Sequence, residues 1–141
     1  MALAFAASAA LQLALFAQPV TAGAPNGGPA GLIDCLGKTQ VRPAAVVLTC
    51  ADANMSVRHL SWTGWGASFA AALGEMSVNS CTPNCAAGTF HTFKVVLIAR
   101  GAERCGNVLA YNALTFAFLG RSPFPATSDW TLHPTITYRC R

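Results

Sequence analysis

Three histidines and five acidic residues are all that this 141-residue chain offers for acid–base chemistry. His59 and Ser61 lie two apart, and Asp52 precedes them closely. On a strand, His59 and Ser61 would share one face, because alternate side chains point the same way. Hydrolysis by a serine needs an imidazole to take the hydroxyl proton and a carboxylate to orient that imidazole. His91, Glu75 and Asp129 are the further candidates for acid–base work. A hydrolase built from these groups would use His59 or His91 with Asp52 or Glu75. Against it, no Gly-x-Ser-x-Gly elbow surrounds any serine. A histidine on a half-buried strand is more often a hydrogen-bonded structural residue. No catalytic residue is assigned, and the balance leans away from an enzyme.

Other spacings invite binding chemistry. Cys81 and Cys85 have a separation that zinc sites use, with His91 six residues further on. No second Cys-x-x-Cys pair supports it, so no metal is expected. Asp52-Ala53-Asn54 has the oxygen spacing that opens a calcium loop, but no carboxylate follows within twelve residues. A side-chain-capped turn is the better reading. No cofactor is expected. Asn54-Met55-Ser56 is a glycosylation sequon, meaningful only in a host that uses it. Trp62 and Trp65 flank Thr63-Gly64, and aromatics on a loop can stack on a sugar or a peptide. With His91, they are the candidate ligand-binding residues. The structural alternative makes Trp62 core and Trp65 an edge cap.

The cysteines and the front end set the compartment. Met1 to Ile33 carries no charged residue and no histidine, Leu3 to Ala17 is almost wholly apolar, and Val20-Thr21-Ala22 offers small residues. This pattern predicts a helical signal peptide over residues 1–22, although the first residues lack the usual Lys or Arg. The apolar run is short of the ~20 residues of a spanning helix. Residues 23–33 read as a flexible spacer, and residues 34–141 as one disulfide-stabilised β domain. All six cysteines (Cys35, Cys50, Cys81, Cys85, Cys105, Cys140) follow the signal, which implies an oxidising compartment. Six cysteines allow fifteen pairings. Position relative to the expected strands favours 35–50, 81–85 and 105–140. Chain-entropy estimates for such loops run from about 2 to about 4 kcal/mol, the last pair most.

The elements that must position these groups are short strands. Ala44–Cys50 is a β-branched run closed by the Asp52 turn. Met55–Trp62 alternates, then slips near Arg58-His59 as a bulge would make it. Ala67–Val78 reads as strand rather than helix, with Gly74-Glu75 as its one turn signal, which favours a hairpin there. Such a hairpin would bring Trp65 and Cys81 together. Asn79–Gly88 is loop. Thr89–Arg100 and Val108–Leu119 are the longest strands. Arg121–Asp129 is a Pro/Ser loop, and Thr135–Cys140 is a last strand. Val46, Leu48, Leu60, Trp62, Val95, Leu97, Phe116 and Phe118 should share one core. The fold class is therefore all-β, a small antiparallel sandwich or barrel stapled by disulfides. A net charge of +4 is scattered, with no basic run for nucleic acid and no amphipathic helix for a membrane surface.

Three strings carry a resemblance: Val47 to Asn54 (VLTCADAN), Ser61 to Gly66 (SWTGWG) and Asn79 to His91 (NSCTPNCAAGTFH). They resemble a group of small secreted actinobacterial proteins with no assigned activity. The resemblance covers about Val46 to Ile98. It implies export and a bacterial host, and transfers no catalytic residue. The expected role is an exported, non-enzymatic binding or structural domain at or outside the cell envelope. Its partner would be a protein or carbohydrate, with no nucleic acid and no stable membrane insertion. A protease inhibitor presenting the Cys81–Cys85 loop as bait is the remaining alternative.

Overall fold

A computed structural model describes residues 27–141. The expected signal peptide, residues 1–22, and the first part of the expected spacer, residues 23–26, lie outside the described residues. In chain order the elements are β1 (Gly31–Ile33), β2 (Thr39–Gln40), β3 (Ala45–Val47), β4 (Met55–Thr63), β5 (Ala70–Asn79), β6 (Phe90–Arg100), β7 (Glu103–Cys105), β8 (Val108–Tyr111), β9 (Ala113–Phe118), α1 (Asp129–Leu132) and β10 (Thr135–Thr137).

Alternation makes the strands. Along β6, Val95, Leu97 and Ala99 are fully buried while Lys94, Ile98 and Arg100 face solvent. That is the period-2 pattern of a sheet with one wet face. Six strands form one sheet in the order β10-β9-β6-β5-β4-β3, and four form a second in the order β2-β1-β8-β7. Every pairing is antiparallel except β1 with β8. The sheets share one core: Leu32, Ile33, Ala110 and Tyr111 from the small sheet meet Val57, Met76, Val95, Leu97, Leu114 and Phe116 from the large one. The all-β, disulfide-stapled architecture expected from the sequence is the one found. All eight residues expected to share a core do so, with Val46, Leu60, Trp62 and Phe118 at its margin.

The register of β4 slips between Arg58 and Ser61, and His59 adopts a positive φ of 56°. This is the expected bulge. The hairpin at Gly74 does not form. β5 runs straight from Ala70 to Asn79 and pairs with β6 at every residue, Gly74 lying opposite Val95. Gly74 is glycine because of the bulge beside it. A Cβ there would stand 2.8 Å from Leu60 Cδ2, 2.9 Å from Val57 Cγ1 and 3.0 Å from the Arg58 carbonyl oxygen. The residue read as a turn signal is a close-approach site inside a strand. Gly74→Val should therefore lower stability by about 1–3 kcal/mol, the usual cost of overpacking. Urea midpoints of the two proteins measure it, and an unchanged midpoint would refute the crowding argument.

Three further differences concern long-range contacts. Gly31–Ile33, at the end of the expected spacer, is a fully buried strand, so core residues precede the expected domain start. The expected strand Val108–Leu119 breaks at Asn112, where the chain leaves the small sheet as β8 and enters the large one as β9. Residues after Ser128 form a short helix, capped by the Ser128 side chain on the Thr131 N–H.

The disulfides pair as expected: Cys35–Cys50, Cys81–Cys85 and Cys105–Cys140. The first and third join the sheets. Cys35 follows β1 and Cys50 follows β3; Cys105 ends β7 and Cys140 follows β10. Glu103 adds to the Cys105–Cys140 staple. Its carboxylate accepts bonds from the Cys140 N–H, Asn112 Nδ2 and Arg139 Nη1, at 3.2–3.3 Å. Desolvation alone would raise its pKa, but these three donors and the Arg139 charge hold it below the ordinary Glu value. A lowered folded pKa contributes stability above the ordinary Glu range and loses it as pH falls through the folded value. Thermal scans from neutral to acid pH should show a shallower fall in melting temperature for Glu103→Gln than for the parent protein. Parallel curves would contradict this role.

Candidate functional site

Trp62 and Trp65 do not form an open stacking platform. The bend after β4 turns Trp65 back onto the core. Its ring meets Trp62 edge to face at 5.0 Å and Tyr111 at 5.4 Å between centroids. Trp62 Nε1 donates to the Pro43 carbonyl at 2.8 Å, and Trp65 Nε1 to the Ala30 carbonyl at 3.2 Å. The Tyr111 hydroxyl donates to the Ala67 carbonyl and accepts from the Gly66 N–H. Burial pushes that phenol's pKa up, which keeps it a donor. The three rings close one end of the sandwich. Their apolar faces are spent on one another, which is why aromatics that look like a loop pair in sequence act as core.

His91 belongs to a different place. It lies on β6 opposite Val78 and borders an open hollow with Phe93, Pro123 and Phe124. Trp62 pairs with Ala72, and Ala72 with Leu97, six residues along β6 from His91. That is roughly 20 Å at ~3.3 Å per residue. Trp65 and Cys81 flank the full length of β5, so the shared site expected from a hairpin is ruled out.

The acid–base groups partly converge. His59 Nδ1 lies 3.2 Å from Glu75 Oε2, and Arg58 Nε lies 3.7 Å from the same oxygen. The bulge makes this possible, because it turns His59 out beside Arg58, whose register partner is Glu75. Ser61, Lys94 and Leu119 line the same shallow hollow. The His59 side chain is 70% exposed. Exposed ion pairs of this kind contribute at most about 1 kcal/mol. Asp52 is not part of this cluster. Its carboxylate accepts from the Asn54 N–H at 3.1 Å and from Asn54 Nδ2 at 2.7 Å, which lowers its pKa and makes the turn read from sequence. Asp129 sits in the first turn of α1.

The Cys81–Cys85 loop is a closed ring held from below. Its ends are 3.7 Å apart between Cα atoms. The buried Asn79 side chain donates to the Cys85 carbonyl and to Asn54 Oδ1, and accepts from the Cys81 N–H. Thr82, Pro83 and Asn84 are exposed at its tip. Among the described residues no group of three or more His, Cys, Asp or Glu side chains could hold a metal ion.

A further concavity involves none of the candidate catalytic or ligand-binding residues read from the sequence. It is a cleft of about 370 Å³ between the β1–β2 corner and β3. Leu32, Ile33, Val46 and Leu114 give it an apolar floor; Asp34, Gln40 and Tyr138 give it polar atoms. Asp34 Oδ1 accepts the Leu36 and Lys38 N–H groups at 2.9 Å, and Oδ2 accepts Gln40 Nε2 at 3.0 Å. Partial burial would raise its pKa, but the Gln40, Lys38 and Leu36 donors outweigh it and keep the carboxylate ionised. The Tyr138 hydroxyl donates to the Val47 carbonyl at 2.8 Å. Burial, and then the Asp34 charge, push its pKa far up, so it remains a donor.

No protein-family model, curated protein or solved structure matches this chain. The cleft must be read from its own chemistry. A concave, mostly apolar site with a few converging polar groups is the usual form of a ligand site. Sequence reasoning missed it because its walls come from segments up to about a hundred residues apart. The one local signal was Asp34-Cys35, a charge and a bridge at the first turn after an apolar strand.

Proposed function

We propose that this chain is an exported, non-enzymatic binding domain that works at or outside the cell envelope and takes its ligand in the cleft between the β1–β2 corner and β3. The observation that carries this reading is a carboxylate and a strand edge, unpaired among the described residues, over an apolar floor. The Cys35–Cys50 bridge ties the segment after β1, which lines the cleft, to the segment that follows β3, which supports a preorganised site. Three disulfides, and no helix among the described residues long and apolar enough to cross a membrane, are consistent with export. Membership of the small secreted actinobacterial group that the motifs resemble belongs to the same proposal.

Two measurements test it. The chain expressed in an actinobacterial host should accumulate in the medium, six hydrogens lighter than its reduced form. Retention in the cytoplasm with free thiols would defeat the export half. Amide NMR shifts on adding a set of small apolar amines should cluster on Ile33, Asp34, Val46 and Val47. Shifts gathering on His59, Ser61 and Glu75, with turnover of nitrophenyl esters lost in His59→Gln, would instead favour the hydrolase.

A further inference from the structure

We propose that the cleft receives an extended polypeptide segment of a partner protein, which adds as a strand to the free edge of β3 and sets a lysine or arginine against Asp34. This rests on the cleft being the binding site and names what it binds.

The backbone of β3 is the first argument. Among the described residues β3 is an edge strand, paired with β4 on one side only. In an antiparallel ladder, successive residues turn their N–H and C=O groups alternately toward and away from the partner. The Leu48 N–H bonds the Met55 carbonyl and the Leu60 N–H bonds the Ala44 carbonyl, so the even-numbered residues serve β4. Ala45 and Val47 face the cleft. The Val47 carbonyl confirms the direction, since it is taken there by Tyr138. That leaves the Ala45 N–H, the Ala45 C=O and the Val47 N–H as open main-chain positions among the described residues. An unpaired edge of this kind is the template for strand addition.

Side chains and charge supply the rest. Leu36, Val41 and Val47 are exposed, at 62%, 73% and 39%, although each is apolar. Leu36 and Val47 line the cleft, and Val41 lies between Gln40 and Pro43, which also line it. They offer contacts for the alternate side chains of an incoming strand. Asp34 is ionised and held by amide donors, and no cation among the described residues lies within ion-pairing distance of it. Lys38 contributes its N–H and its nearby charge without forming a pair. A carboxylate in that state attracts a cation that arrives with the ligand.

The test uses the disulfide-bonded protein and acetylated hexapeptide amides that alternate valine or leucine with threonine and carry one lysine. Binding is expected, with protection of the Ala45 and Val47 amides in exchange NMR. Methylating the peptide nitrogens that face β3 should weaken it at least about tenfold. Asp34→Asn should weaken the lysine peptides up to about fivefold and leave norleucine versions unchanged. Val47→Pro removes one open N–H and no β4 bond; its binding should fall while its circular dichroism stays the same. If that variant misfolds, the methylated peptides on the parent protein decide. Cleft binding by small apolar amines, with no effect of methylation on any peptide, would overturn strand addition and leave the cleft as the site. No shifts at the cleft with either probe would overturn both readings. A dimer in light scattering with Ala45 and Val47 protected would assign the edge to a second copy instead.

Discussion

Cys105→Ser should lower the unfolding free energy by about 2–5 kcal/mol, the usual range for losing a bridge from a small secreted domain. The bridge spans 35 residues of sequence, the longest loop of the three. Loop-closure entropy grows with loop length, so this pair constrains the unfolded chain most. The folded state adds a second reason. Cys140 follows β10, which is joined to the sheet only through β9. Without the bridge, the Glu103 hydrogen bonds and the buried Tyr138, which bonds the Asn112 and Val47 carbonyls, are left to hold that end. Guanidinium unfolding of the parent and the serine variant measures the difference. Chain termini fray unless tied down, so exchange of the Tyr138 and Cys140 amides should rise first. A variant with unchanged stability would mean that this bridge is incidental. Removing Cys81 and Cys85 together should cost less, because they stand only four positions apart and Asn79 already holds the loop.

Leu97→Ala should be comparably severe, at about 2–5 kcal/mol, whereas Ile98→Ala should change stability by under about 0.5 kcal/mol. The residues are neighbours on β6 and similar in size. Leu97 is fully buried between the sheets, and Ile98 is 37% exposed on the outer face of the large sheet. Leu97 lies between Ala72 of β5 and Phe116 of β9 in the sheet, so its truncation leaves a cavity at the centre of the core. Unfolding midpoints of the two variants give a direct comparison. Equal losses would show that β6 does not have one wet face. Loss at Ile98 alone would require the opposite register.

The same contrast marks what was legible in advance. The period of β6, the slip in β4 and the turn at Asp52 were readable because each depends on residues within a few positions of one another. Alternation fixes which side is buried, and an Asp side chain bonds its own neighbouring backbone. The bridges were readable for a related reason. Each cysteine stands at the end of a recognisable strand or turn, and only nearby ends can be joined. Gly74 was misread because one residue type serves two purposes. Glycine marks a turn, and it also marks the place where a neighbouring strand comes too close for a Cβ. Only the bulge on β4, beside it in space, distinguishes the two.

The sequence by itself determined an all-β chain, its alternating core residues, the loops that interrupt it and the cysteine ends that can be stapled. These follow from periodicity and local backbone preference. Tertiary structure alone decided that β1 and β8 pair in parallel, that the chain changes sheets at Asn112, that Trp65 turns inward onto Tyr111, and that Asp34, Val47 and Tyr138 meet around one cleft. Such features bring together segments dozens of residues apart, as with Ala30 and Trp65, 35 positions apart, and Val47 and Tyr138, 91 apart. No local pattern encodes such pairs. They form because two sheets, each with one apolar face, can bury those faces only against each other, and the short strands at their edges settle where the packed core leaves room.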